Sequence, residues 1–96
     1  GYLSTEERAL ATGLYQTLND VIAALNAGAA LSSTLSKAEQ DLEKRGFKPD
    51  YIEVRRSKDL APATTGDDEI VVLGAAFLGS ARLIDNIAVT LNRKID

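Results

Sequence analysis

Carboxylates are the main proton-handling groups of this chain, and they come in three clusters: Glu6/Glu7, Glu39/Asp41/Glu43 and Asp67/Asp68/Glu69. Paired carboxylates do acid–base work when their surroundings push their pKa values apart. Each cluster here has a plainer role. The first sits where a helix would open and complements its dipole, the second decorates a solvated helix face, and the third keeps a turn wet. The chain has no His and no Cys. A metal would therefore need oxygen donors alone, and Asp67-Asp68-Glu69 lacks the spaced pattern of a calcium loop. Nucleophilic catalysis needs a base beside a hydroxyl. Ser33 and Lys37 are separated by three residues, with Lys37 on an exposed helix face. No catalytic residue and no metal ligand is predicted.

Arg82, Asp85 and Asn86 are harder to assign to packing. An Asp-Asn pair inside an apolar strand puts polar groups on both faces, and a buried one must find a hydrogen bond. Two outcomes are open. Asp85 pairs with Arg82, a neighbouring strand or backbone amides, or these residues meet a ligand or another domain. Tyr2 and Arg8, at the start of the first helix, pose the same question. Tyr2, Arg82, Asp85 and Asn86 are the candidate contact residues.

The elements that would position them follow from periodicity. Ser4-Thr-Glu-Glu7 has the form of a capping box. Leu10, Leu14, Leu18, Ile22 and Leu25, with Val21, trace one apolar stripe, and Gly28 is a natural stop. Gly13 inside that stripe marks close packing. Ser32-Ser33-Thr34 reads as a cluster of capping residues for a second helix. Leu35, Ala38, Leu42 and Phe47 form its buried side, and Lys44, Arg45 and Gly46 suit its end. The short Ala27–Leu31 link predicts a helical hairpin.

Lys48-Pro49 ends helical geometry, and Tyr51–Arg55 alternates as a half-exposed strand with Ile52 and Val54 inward. Residues 57–68 read as loop. Ile70–Leu78 is apolar on both parities, which predicts a central strand covered on both faces. Gly74 and its flanking alanines predict a close neighbour. Gly79-Ser80 suits a two-residue hairpin turn into Arg82–Val89, where Leu83, Asp85, Ile87 and Val89 share one parity and Arg82, Ile84, Asn86 and Ala88 the other. The polar tail from Asn92 is expected to fray. The fold class is α+β, order α-α-β-β-β: an N-terminal helical hairpin on a small, mainly antiparallel three-stranded sheet.

At 96 residues, 45% hydrophobic and 26% charged, the chain fits one small globular domain, residues 1–96. A net charge of −3 and a pI near 4.9 argue against a general nucleic-acid binder, which needs a basic face. No apolar run reaches the roughly 20 residues of a membrane span, and no secretory signal pattern opens the chain. Zero cysteine suits a reducing compartment. The expectation is a cytoplasmic domain with no nucleic-acid or membrane partner.

Three segments carry a resemblance. Gly1-Tyr-Leu-Ser-Thr-Glu-Glu-Arg8, Gly46-Phe-Lys-Pro-Asp-Tyr-Ile-Glu-Val54 and Val72–Asn86 resemble, in order and spacing, the carboxy-terminal domain of the pantothenate synthetase family. Residues 15–45 agree in helical pattern only. The resemblance implies an ATP-dependent ligase joining pantoate and β-alanine through a pantoyl-adenylate, with a Rossmann-type amino-terminal domain that this chain lacks. The family's catalytic histidines, pantoate-binding glutamines and nucleotide loop have no counterpart here, so no catalytic residue carries over. What it implies for this chain is a lid that closes over ATP and the adenylate and shields the reactive anhydride from water. Its partner would be its own amino-terminal catalytic domain. ATP and Mg²⁺, with pantoate and β-alanine, would serve the full-length parent and not this domain alone, which is expected to be inactive and monomeric. Two other readings stand beside it: a stand-alone protein-interaction module using its exposed sheet face, and an independent small-ligand domain, which would need a closed pocket with converging polar groups.

Overall fold

The computed structural model describes residues 5–96, and side chains from residue 12 onward. The capping box at Ser4–Glu7, the stripe position Leu10 and the candidates Tyr2 and Arg8 lie outside the described side chains. The element order is α1 (Thr5–Asn26), α2 (Leu31–Lys44), β1 (Lys48–Arg56), β2 (Glu69–Leu78) and β3 (Ala81–Thr90). This is the α-α-β-β-β, α+β arrangement expected from the sequence. The three strands are antiparallel in the order β1-β2-β3.

The apolar stripe of α1 is buried at Leu14, Leu18, Val21 and Leu25, with Ile22 packed at its margin. Thr17 interrupts it without cost, because its buried hydroxyl donates to the Gly13 carbonyl at 2.7 Å. Gly13 faces Arg45 and Phe47, whose side chains would stand 3.2 Å from an added Cβ. Both helices end in the same way: an αL glycine (Gly28, then Gly46) followed by an amide that donates back to the last turn, Ala29 to Ala24 and Phe47 to Leu42.

The start of α2 departs from expectation. It opens one residue before the Ser32–Thr34 cluster, with Ala30 as its cap residue and no side-chain cap. The hydroxyls of Ser33 and Thr34 act as donors, both to the Ala30 carbonyl. Lying inside the first turn, they face carbonyls behind them and not the free amides that a cap would accept.

β1 begins at Lys48, three residues ahead of the predicted start, and carries a bulge between Pro49 and Tyr51 that leaves Asp50 without an opposite residue. The 57–68 segment returns along β1, with Ala61 and Ala63 hydrogen-bonded to Arg56 and Val54. β2 and β3 join through Gly79-Ser80. Gly79 has φ of 61° and Ser80 does not share the positive sign, which is the type II′ turn that matches strand twist.

β2 is central as predicted, but it is covered on one face only. Ile70, Val72, Gly74, Ala76 and Leu78 point to the helices and are buried. Val71 and Leu73 on the other face are partly exposed, and Phe77 is 37% exposed. Two helices, α1 over β2 and β3 and α2 over β1, suffice for one side of three strands. Gly74 admits α1: an added Cβ would meet Leu18 at 3.3 Å and Leu14 at 3.5 Å.

The tail does not fray. Leu91 and Ile95 belong to the core, the Ile95 carbonyl accepts from Gly66 at 2.7 Å, and the Ile95 amide donates to Asp67 at 2.9 Å. The Asn92 amide donates to the Asn26 side chain at 2.8 Å. One buried isoleucine outweighs the polar residues beside it.

Candidate functional site

Strand pairing sorts the candidate residues. Phe77 lies opposite Arg82, Ala75 opposite Ile84, and Leu73 opposite Asn86, so these six share the face away from the helices. Tyr51, Glu53 and Arg55 of β1 join them, opposite Ala75, Leu73 and Val71. Gly74 pairs with Asp85, which places Asp85 on the helix side. The structure therefore brings Arg82 and Asn86 together with an exposed Ile84, and sets Asp85 apart.

Arg82 does not pair with Asp85. Its guanidinium reaches across the hairpin end to the bulge residue, with Nε and Nη2 donating to Asp50 Oδ2 at 3.1 and 2.9 Å. Asp85 is half-buried and accepts from the amide of the next residue, Asn86, at 2.8 Å. Among the described residues it has no ion-pair partner.

The outer face has an apolar centre and a charged margin. Leu73, Phe77 and Ile84 form the centre around a fully buried Ala75, with Ile84 63% exposed. Arg82–Asp50 bounds it at the hairpin end, and Arg55–Glu53 on β1. A shallow depression of about 360 Å³ opens beside Phe77, lined also by Gly46, Phe47, Lys48 and Gly79. Asp50, Phe77 and Ile84 were not among the sequence candidates. The signal available for Phe77 and Ile84 was the apolar odd-numbered set Val71, Leu73, Ala75 and Phe77, with two predicted helices to cover one face; nothing in the sequence marked Asp50.

In the described carboxylate clusters, Asp41 and Asp67 have structural uses. Asp41 pairs with Lys37 at 3.1 Å. Asp67 accepts the Thr64 amide at 2.8 Å, and the carbonyls of Asp67 and Asp68 hold the tail. Asp59, which accepts the Ala61 amide and is paired with Arg56, has its carboxyl held below the ordinary value, chiefly by that amide bond. No group of three or more acidic residues is gathered for a metal among the described residues. All five described arginines, Arg45, Arg55, Arg56, Arg82 and Arg93, are engaged by carboxylates of the same chain. A notch of about 190 Å³ beside Arg56 and Lys58 is also lined by Asp67, Asp68 and Glu69, so acidic groups outnumber the basic ones there. No helix among the described residues is long and apolar enough to cross a membrane.

A helical hairpin on one side of a three-stranded antiparallel sheet, with no further element over its other side among the described residues, defines a small two-layer α+β module. Comparison places it in a family. A family profile described as Pantoate-beta-alanine ligase matches residues 1–88, and the chain belongs to that family. The pantothenate synthetase of Chromohalobacter salexigens is 50% identical over 93 residues, 97% of this chain and 33% of the relative. That of Shewanella woodyi is 44% identical over 90 residues, 94% of this chain and 32% of the relative. The crystal structure of pantothenate synthetase from Thermus thermophilus superposes with a TM-score of 0.80 at 29% identity, covering 93% of this chain and 33% of that one. The chain thus spans about a third of the length of these relatives, consistent with their carboxy-terminal part.

Proposed function

We propose that the chain is the closing lid of an ATP-dependent ligase that joins pantoate to β-alanine through a pantoyl-adenylate, working in the cytoplasm against an amino-terminal catalytic domain. The observation that carries this reading is the internal neutralisation of all five described arginines in a chain of this family. A module that gripped the triphosphate itself would aim free guanidinium groups outward. This one offers shape and an apolar face. Its contribution is to exclude water from an anhydride that water would hydrolyse, while ATP, Mg²⁺ and both substrates are held by the other domain.

The test is an amide-correlation NMR titration of the 96-residue chain with magnesium-ATP and then pantoate, with AMP release assayed in parallel. The expected result is a dispersed spectrum that stays still, with no AMP formed. Shifts confined to Arg82–Asn86 would instead give the lid a ligand-contacting surface of its own. AMP release by the chain alone would overturn the reading.

A further inference from the structure

We infer that the outer face of the sheet, centred on Phe77 and Ile84, is a buried docking surface whose occupant is the other two thirds of the family's polypeptide. The inference rests on the lid reading for its partner, but its observation is independent.

An antiparallel sheet can leave one face in water, and its strands then alternate apolar and polar. β2 does not alternate. Its outward residues are Val71, Leu73, Ala75 and Phe77, and Ile84 of β3 extends the patch. Both helices lie on the opposite face, and the tail from Leu91 packs into the helix-side core. Among the described residues, nothing in this chain turns back to cover the patch. Its anatomy is that of a protein interface: an apolar centre, and a margin of charges already paired within the chain, Arg82 with Asp50 and Arg55 with Glu53. With both of these arginines already paired, the patch asks for a mainly apolar partner, and the other cation beside Phe77 is the exposed Lys48 opposite it. The depression beside Phe77 offers a seat for one side chain of that partner. The relatives carry about three times this length, so in them the polypeptide able to supply such a partner is part of the same molecule.

The chain has no cysteine, so a thiol introduced into it is the only one in its own peptides and reports burial at that position. Ile84→Cys probes the outer face, and Glu39→Cys, on the exposed side of α2, serves as control. Each is placed in the free 96-residue chain and in a fusion where this chain replaces the matching third of the Chromohalobacter salexigens enzyme. Labelling rates at each position are read by peptide mass. The thiol from Ile84→Cys is expected to react at least about tenfold more slowly in the fusion than in the free chain, with the Glu39→Cys rate unchanged. Equal rates at position 84 would overturn the proposal. So would protection that appears in the free chain as its own concentration rises and is absent from the fusion, which would make the occupant a second copy. If the fusion misfolds, the same thiol at the aligned position of the unmodified relative repeats the measurement. Pantothenate formation by the fusion without the introduced thiol separates the two readings. Product with an unprotected thiol sinks the docking face and spares the lid; a protected thiol without product does the reverse.

Discussion

The two faces of one three-stranded sheet divide the labour in this molecule. On the helix side Ile70, Val72 and Ala76 are fully buried, and Gly74 gives up its side chain so that Leu14 and Leu18 of α1 can approach. On the other side Leu73, Phe77 and Ile84 meet solvent within a frame of ion pairs. Residues of similar chemistry therefore have different tasks. The helix-side set determines whether the chain folds, and the outer set is left over from that core. Apolarity alone does not separate them; the supply of helices does.

The comparison breaks most easily at Leu18. Leu18→Ala removes a fully buried side chain and is expected to cost about 2–5 kcal/mol in urea denaturation, whereas Ile84→Ala in the free chain is expected to stay within about 0.5 kcal/mol. Equal losses would mean the outer face is part of the isolated chain's own core. Ile95→Ala extends the test to the tail. A loss of about 2 kcal/mol or more assigns residue 95 to the helix-side core, and a negligible one restores the frayed tail.

Gly74→Val sharpens the picture by overfilling the contact with α1, at an expected cost of about 1–3 kcal/mol, with Gly74→Ala milder. Asp50→Asn should have a small effect. It removes an exposed pair worth at most about 1 kcal/mol, and the difference should shrink as salt is raised.

The fold was legible where periodicity has one meaning. Leu14, Leu18, Val21 and Leu25 can share a face only on a helix, and Gly79-Ser80 between apolar runs can hardly be other than a hairpin. The misreadings share a cause, which is that residue type does not state direction. Ser33 and Thr34 signal a helix start as acceptors, but here they donate to a carbonyl. Ile70–Leu78 reads the same whether one face or both are covered. Ile95 is a lone apolar residue in a polar run, and only the three-dimensional closeness of Gly66 and Asp67 gives it a place. The candidate face was half legible. Parity put Arg82, Ile84 and Asn86 together correctly. The partner of Arg82 was out of reach, because Asp50 lies 32 positions away and is presented by a bulge that the sequence does not announce.

The two margins of the sheet are finished differently. β1 carries Pro49, a bulge at Asp50 and a returning loop that bridges Arg55 to Pro62. β3 runs ten residues from Ala81 to Thr90 in unbroken register, without proline or bulge. A straight margin of that length is a template on which further strands can add, and charged side chains are a usual deterrent. Arg82 and Asp85, one projecting to each face, are the only charges along it. Whatever else they contact, charges so placed disfavour the addition of a further strand.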